Sequence, residues 1–434
     1  MGKATIVYVI GLTLIIGLAL SNINRSSLDS MDTYATYFGR TMAHNIALAA
    51  ANVGASRVLF DPTFGSNFSG TFSGGTYDVI WADTGMGQTF TKFMTATSSY
   101  NAGGETIRDT IRGVFNRRIL SRYSWFTESE TNGYKRPNGA NGPYFGHSDW
   151  KITGDSVFGY AHTNSKFNLA GQPYFGKKVT ATNAPSLMTL FGKKDPIYNE
   201  GYEWGVTVTR PYDNLTTLQT LANGGSPIAS RVNGQDVGLE FQTDQVHVRV
   251  PYNTGATLDT TMKIADLGAS KVFGVTGGDI HVKGTYQGQL TVVAMQGANP
   301  LKGNVWIDGD VVASDNPRYN PSSTDMLGLV AERMGYITKD PARTTSSVLY
   351  VQAAIYCHNG EFTAEEFWNI PKSGSVNLYG SLCQKTAGSL GVFTGAGLQN
   401  GMFYHITHDP RMVTGGPPQF PYSGNLRLVA WWEN

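Results

Sequence analysis

Two aspartates at the spacing of a strand are the residues that first suggest chemistry in this chain. Asp308 and Asp310 flank Gly309, and an extended backbone would place both carboxylates on one exposed face. Two neighbouring carboxyl groups are what glycoside hydrolysis requires, one as the acid and one as the base or nucleophile. Carboxylates on a solvated strand face more often serve solubility alone. The pair therefore supports only an alternative hypothesis, a polysaccharide-active surface protein.

A second group of side chains, near the C-terminus, has the atoms of a metal site. His405, His408 and Asp409 offer nitrogen and oxygen ligands. Pro410 and the alternation before it indicate a strand end or a turn, which places the two histidines on opposite faces. The sequence also contains no glycine-rich phosphate loop, no His-Glu-x-x-His and no nucleophile elbow. We therefore expect no metal, no cofactor and no enzymatic activity.

The two cysteines of the chain are Cys357 and Cys383. Their separation does not fit a paired zinc or redox motif. In an oxidising compartment they could form one disulfide, and two buried free thiols are the alternative. The spacing leaves both open.

Composition narrows the class of protein. Of 434 residues 52 are glycine, only 15% are charged, and the formal net charge is +1. Many turns and few charges are typical of β-rich proteins outside the cytoplasm. Acidic and basic residues are spread along the chain, so we expect no nucleic-acid partner.

The N-terminus predicts a long helix. The segment from Ala4 to Leu20 has no charged residue and has about the minimum length for crossing a bilayer. Lys3 before it and Arg25 after it fit insertion with the N-terminus inside. A cleaved secretory signal is the alternative, because small residues lie near the end of the run.

Helical periodicity continues beyond this run to about Val58, which predicts a single helix of about 80 Å. Its alanine-rich end with Gly54 allows close approach of other helices. We therefore predict an assembly helix, and a membrane anchor whose lower half packs on its own domain is the alternative. The predicted assembly residues are Ile6, Val9, Leu12, Ile16, Leu20, Leu28, Met31, Ala35, Phe38, Met42, Ile46, Ala49 and Val53.

The rest of the chain predicts mainly strands. Residues 61–104 hold strand-like pieces, and the spacing of Ile107, Ile111 and Val114 predicts a helix from Glu105 to Tyr123. Further short helices are expected from Asp325 to Met334 and at 363–366. The expected organisation is a helix at 1–58, a mixed α/β connecting region at 59–150 and a β-rich, solenoid-like domain at 151–434.

A repeated pattern of apolar residue, any residue, apolar residue, any residue and glycine suggests stacked strands. Alternation buries one face, and the glycine permits a bend or a close approach to the next layer. The fold class is therefore mainly β with a long N-terminal helix, and its head is either β-solenoid-like or a β-sandwich. The four copies are Phe167 to Gly171, Ile280 to Gly284, Val305 to Gly309 and Val376 to Gly380.

The N-terminal residues resemble a known family. Met1 to Gly11 (MGKATIVYVIG), the hydrophobic helix and the segment from His44 to Gly54 are similar to PilX-type pilus-assembly proteins of the type IV pilin superfamily. The remainder is similar to uncharacterised bacterial β-rich surface proteins with this N-terminus. The resemblance implies a helix that lies in the inner membrane before assembly and then packs against copies of itself.

The chain departs from the superfamily in two respects. Thr5 or Val7, not glutamate, stands fifth from the two plausible mature starts, and no proper leader precedes Gly2. The missing glutamate puts in doubt that a buried charge sets the register between subunits. The missing leader leaves two alternatives: the chain is numbered from its processed residue, or the helix is a permanent membrane anchor.

The predicted function is that of a structural subunit of an extracellular, pilus-like filament. Its expected partners are copies of itself, and the inner membrane before assembly. A membrane-anchored β-solenoid adhesin, a polysaccharide-active surface protein and a minor pilin are the alternatives.

Overall fold

The structure is a computed structural model that describes residues 2–61, 64–83, 91–208, 210, 215–225, 232–252, 257–413 and 415–433. It is mainly β with one long N-terminal helix, which confirms the predicted fold class. The chain forms two compact units, whereas the sequence suggested boundaries at 58 and 150. The first consists of Met1–Gly85, Thr91–Asn116 and Asn425–Asn434, and the second of Met86–Phe90 and Arg117–Gly424. The second unit is thus inserted into the sequence of the first.

The first unit consists of helix α1 (Gly2–Phe60) and a five-stranded sheet. Strands are numbered β1 to β30 along the chain. The sheet has the order β1-β2-β3-β4-β30, and β1 to β4 are antiparallel neighbours. Its strands are β1 (Phe68–Phe72), β2 (Gly75–Asp83), β3 (Thr91–Ala102), β4 (Glu105–Ile119) and β30 (Tyr422–Glu433).

The helix predicted from Glu105 to Tyr123 is wrong, because these residues form β4 and a short 3-10 turn at Leu120–Arg122. Strand β4 pairs with β3 from Glu105 to Asn116. A spacing of four between Ile107 and Ile111 satisfies both the helical period and the strand period of two, so the pattern did not distinguish them.

The second unit is built mostly from parallel strands. Its strands are β5 (Trp125–Ser129), β6 (Lys151–Ile152), β7 (Ser156–Phe158), β8 (Ala161–Thr163), β9 (Asn168–Ala170), β10 (Tyr174–Phe175), β11 (Val179–Ala181), β12 (Ser186–Met188), β13 (Ile197–Tyr198), β14 (Tyr202–Trp204), β15 (Val237–Thr243), β16 (Gln245–Val250), β17 (Leu258–Lys263), β18 (Val272–Thr276), β19 (Ile280–Tyr286), β20 (Gln289–Met295), β21 (Val305–Ala313), β22 (Met326–Ala331), β23 (Gly335–Ile337), β24 (Val348–Cys357), β25 (Phe362–Ala364), β26 (Ser375–Thr386), β27 (Gly391–Thr394), β28 (Gly397–Gly401) and β29 (Phe403–His408). A second helix, α2 (Leu215–Gly225), lies between β14 and β15.

Two long ladders of parallel strands organise this unit. One runs β15-β19-β21-β24-β26-β29-β7-β10-β13, and the other runs β18-β20-β22-β24-β26-β5-β8-β11-β14. Shorter parallel sets are β21-β23-β25 and β6-β9-β12. Parallel stacking of successive turns is the pattern of a solenoid, whereas a sandwich packs two antiparallel sheets.

The chain joins these ladders in their middle. Strand β5 pairs with β26, and β7 pairs with β29. From there the chain runs to the end of the ladders formed by β13 and β14. It then continues with β15 at the opposite end and returns to the middle at β29. Both connections to the first unit therefore leave from adjacent places, where His408 Nε2 donates to the Ser121 carbonyl at 2.8 Å.

Three of the four repeated glycines meet a neighbouring layer closely. A Cβ on Gly284 (φ +104°) would lie 2.3 Å from the Phe241 carbonyl oxygen, and one on Gly380 would lie 2.0 Å from the Ala353 carbonyl oxygen. A Cβ on Gly171 would lie 2.2 Å from Thr153 Oγ1. The fourth, Gly309, has only a contact of 3.7 Å. The close approach expected from the pattern is thus present at three positions.

Two other predicted helices are wrong in detail. The segment from Asp325 to Met334 contains β22. Residues 363–366 lie in and after β25, and a single 3-10 turn, Phe367–Asn369, follows Glu366, which adopts a left-handed conformation without a side-chain cap. Buried apolar side chains on both faces of a strand mimic a helical run in sequence.

Candidate functional site

The N-terminal part of α1 exposes its apolar side chains. The helix from Ala4 to Phe60 contains a window of mean hydropathy 2.3 that is long and apolar enough to cross a membrane, and none of that window is buried. The large apolar side chains from Ile6 to Phe38 are between 45% and 76% exposed. The candidate functional site is therefore a helical surface rather than a pocket.

The C-terminal part of α1 packs on its own sheet, mainly on β2 and β3. Small side chains allow this contact, since a Cβ on Gly54 would lie 2.7 Å from Met94 Sδ and one on Gly39 would lie 2.5 Å from Ile107 Cδ1. The small residues that suggested helix packing in the sequence thus serve contact with the sheet. The buried residues of this face are Gly39, Ala43, Ile46, Ala47, Ala50, Ala51, Gly54 and Val58.

 The predicted assembly stripe lies on a different face of the helix from these buried residues. At about 100° per residue, the centres of the two faces are about 130° apart. Ile46 is the exception, because it is fully buried against the sheet and is not available for assembly. The other predicted residues are exposed or partly exposed: Ile6, Val9, Leu12, Ile16, Leu20, Leu28, Met31, Ala35, Phe38, Met42, Ala49 and Val53.

Polar contacts hold the C-terminal part of α1 in place. His44 Nδ1 donates to Asp109 Oδ2 at 2.7 Å, and His44 Nε2 lies 3.7 Å from Glu433 Oε2. Ser98 Oγ donates to the Ala43 carbonyl at 2.6 Å. These bonds fix the position of the helix along the sheet, and sequence reasoning missed them because each joins residues far apart in the chain.

The cysteines are both buried and free. Cys357 is opposite Gln384, and Cys383 is opposite Tyr356, in the parallel pair of β24 and β26. Because their side chains point to opposite faces of the sheet, the two thiols belong to different buried clusters. This geometry does not allow the disulfide that the sequence left open, and burial raises the pKa of the Cys383 thiol to about 12.

The two aspartates suggested for glycoside chemistry lie at an irregularity of β21. Asp308 accepts hydrogen bonds from Tyr252, Thr338 and His281. Burial raises the pKa of Asp308, but these bonds outweigh it and hold that pKa below its usual range. Asp310 accepts the Tyr350 N–H at 2.9 Å. Asp308 thus serves as a hydrogen-bond acceptor and lacks the raised pKa of a general acid.

A stack of rings beside Asp308 was missed in the sequence. Tyr252 lies 3.9 Å from His281, His281 lies 5.4 Å from Trp306, and Trp306 lies 4.3 Å from Tyr336, measured between ring centroids. Gly238 makes room for the first ring, because a Cβ there would lie 2.6 Å from Tyr252 Cδ2. His281 and Trp306 occupy the same place in two copies of the repeat, which is the signal that could have predicted the stack.

The candidate metal residues do not converge. His405 Nδ1 lies 2.8 Å from Ser156 Oγ, whereas His408 Nε2 donates to the Ser121 carbonyl. Alternation along β29 places the two rings on opposite faces. Among the described residues, no group of three or more histidine, cysteine, aspartate or glutamate side chains is placed to hold a metal ion.

No protein-family model matches the chain. No curated protein matches it either. The chain is similar to a solved structure described as the competence-associated pilin ComZ from Thermus thermophilus, with 11% sequence identity and a TM-score of 0.37, over 92% of this chain and 97% of that one. A likeness of this size supports no statement about function.

Proposed function

We propose that the chain is a structural subunit of an extracellular, pilus-like filament that assembles through α1 and has no enzymatic role. The exposure of α1 supports this most directly, because the large apolar side chains from Ile6 to Phe38 are at least 45% exposed. Apolar surface of this extent is stable only within lipid or against other apolar surfaces. The partners that fit are a bilayer and further copies of the helix.

The length of the apolar stripe favours assembly over anchoring alone. A bilayer needs about 20 residues, and the run from Ala4 to Leu20 approaches that length. The stripe continues to Val53, which is 43% exposed although a neighbouring face of the helix is packed on the sheet. In this proposal the helix lies in the bacterial inner membrane before assembly, and the stripes of neighbouring copies meet in the filament afterwards.

The second unit fits the outside of such a filament. We infer that its parallel ladders form a β-solenoid that is presented at the cell surface. The similar solved structure is itself described as a pilin. The proposal stands on the helix without it.

A charge placed on the stripe tests the proposal. Met31 is 69% exposed, so Met31→Lys leaves the fold intact but brings a charge into the contact between helices. We expect this variant to lose surface filaments, measured by electron microscopy of cells and by the amount of protein released on shearing. Thr33→Lys is the control, because this exposed residue is about 200° away around the helix.

Normal filaments from Met31→Lys would overturn assembly through the stripe, and equal loss in both variants would contradict a single assembly face. Wild-type protein that stays in the membrane fraction and never appears in sheared material would favour the membrane-anchored adhesin. Subunit stoichiometry in purified filaments separates a major from a minor pilin.

A further inference from the structure

A cavity in the described part of the second unit lies between two excursions from the parallel ladders. It has a volume of about 520 Å³, which is within the range of small-molecule sites. One wall comes from the segment 132–150 between β5 and β6. The other comes from the hairpin that β27 forms with β28. The parallel strands do not need either excursion for their pairing, so both are free to shape a site.

Aromatic rings form much of the cavity wall. Tyr144, Trp150 and Phe393 are each partly exposed, and Phe367 is buried behind them. The Tyr144 ring is held by Phe367 at 5.6 Å and by the edge of His147 at 5.8 Å between centroids. Rings fixed in this way offer flat apolar faces at little cost in conformational entropy.

Polar groups, among them one carboxylate whose charge is compensated, form the rest of the lining. Asn132 Nδ2 donates to Ser389 Oγ at 3.0 Å, and Ser389 Oγ donates to Asp149 Oδ1 at 2.6 Å. The other oxygen of Asp149 pairs with the buried ammonium of Lys151, which compensates the charge of the carboxylate. Among the described residues that line the cavity, none is arginine or lysine.

We propose that this cavity binds a neutral saccharide. The C–H faces of a sugar ring pack on aromatic faces, while its hydroxyl groups exchange hydrogen bonds with hydroxyl side chains of the lining such as Ser148 and Ser389. A phosphate, a sulfate or an acidic sugar would need a cation to compensate its charge, and the lining supplies none. The site belongs to the second unit and does not depend on assembly through α1.

Isothermal titration of the full chain tests the proposal. The protein is held in a polyoxyethylene ether detergent, because a detergent with a sugar head group would compete. Cellobiose, maltose, lactose and diacetylchitobiose are the neutral probes, and the acidic disaccharides of pectin and heparin are the charged ones. We expect saturable binding of at least one neutral disaccharide and none of the acidic ones.

Two variants place the binding in the cavity. Trp150→Ala and Phe393→Ala should each weaken binding about tenfold, because each removes an aromatic face. Trp204→Ala is the control, since this tryptophan is 62% exposed and lies outside the cavity. His147→Ala, at an exposed position on the rim, replaces either variant that fails to fold by circular dichroism.

Binding by none of the neutral disaccharides, tighter binding of an acidic one, or equal weakening by Trp204→Ala would each overturn the proposal. Loss of filaments in a variant of α1 has no bearing on this result, so the two proposals fail separately.

Discussion

Two buried contacts, one in each compact unit, are made of different kinds of side chain. In the first, the face of α1 that meets the sheet consists of alanine, glycine, isoleucine and valine. In the second, Lys151 is buried together with the carboxylates Glu130, Asp149 and Asp155. A charge added to an interface of small apolar groups has no partner. Removal of one charge from a balanced cluster leaves the remaining charges buried without compensation. The first unit should therefore be sensitive to a charge that is added, and the second to a charge that is removed.

The charged cluster lies where β29, near the end of the second unit, pairs with β7, near its start. Lys151 Nζ lies 4.0 Å from the centroid of the Trp125 ring, and Asp155 Oδ1 accepts the N–H of Tyr404 at 2.9 Å. Burial lowers the pKa of Lys151, but the carboxylates around it outweigh burial and hold that pKa above its usual range. The lysine therefore stays charged and compensates carboxylates from neighbouring layers.

The largest effect is expected from a charge added to the buried face of α1. Ala50 is 2% exposed, so Ala50→Glu would bury a carboxylate without a partner and destabilise the first unit by about 3–5 kcal/mol. Hydrogen exchange of the full chain in detergent should show faster exchange in β2 and β3 and unchanged exchange in β26. Loss of filaments in this variant would reflect folding rather than assembly.

The control for this substitution is Asn52→Glu, because Asn52 is exposed on the same helix. Its stability should change by less than about 0.5 kcal/mol. Unchanged exchange in β2 and β3 of Ala50→Glu would show that the helix does not pack as described.

Removal of the buried cation should destabilise the second unit nearly as much. Lys151→Met leaves Asp149, Glu130 and Asp155 without their compensating charge, which we expect to cost about 3 kcal/mol in the free energy of unfolding. Denaturant titration at neutral pH measures this effect. Lys177→Met, which removes an exposed ion pair with Glu200, should leave the midpoint nearly unchanged. Equal midpoints for the two variants would refute a structural role of the cluster.

A smaller effect is expected from a methyl group added at the repeated glycines. Gly284→Ala should cost about 1–3 kcal/mol, because Gly284 has a φ of +104° and faces the Phe241 carbonyl. Gly309→Ala is the matched control, since its Cβ would meet only the Lys283 side chain at 3.7 Å. Thermal unfolding of both variants measures their losses of stability. Similar losses would mean that the layers do not approach most closely at Gly284.

The smallest effect concerns pH. Burial raises the pKa of Glu130 from its ordinary value of 4.5 to about 7. Between these values the folded chain binds more protons than the unfolded chain, so this group makes stability fall as pH rises. Glu130→Gln should make that fall shallower, because the amide does not titrate.

Denaturant titrations at a series of pH values across this window measure the slope. Part of the fall should persist in Glu130→Gln, because burial also raises the pKa of Asp155, to about 6. An identical slope in wild type and variant would contradict the role given to Glu130.

Local signals in the sequence predicted the local features of the fold. The N-terminal helix was predictable because a long apolar run has no competing strand pattern. Strand β4 was not, because Asp109 and Gly113 occupy inward positions and interrupt the alternation of Ile107, Ile111 and Phe115. Asp109 is there to meet His44 of α1, a partner that no local window reveals.

The features that depend on distant residues were not predictable. The alternation around Cys357 and Cys383 predicts strands but not their register, and the register is what separates the thiols. The cavity likewise combines residues from two distant excursions, Asn132 and Ser389, which are 257 residues apart. The position of the exposed stripe on α1 was predictable from the sequence. The burial of Ile46 was not, because it depends on contact with the sheet.

The place where the chain joins the ladders has a consequence for synthesis. The strands from β5 to β14 are the first of the second unit to leave the ribosome, yet β26 and β29, on which β5 and β7 pair, are made near the end of the chain. The early strands must therefore wait with an unpaired edge until most of the protein has been translated. Export before folding would suit such a chain, and a truncation that removes only the last turn would leave the earliest strands without a template.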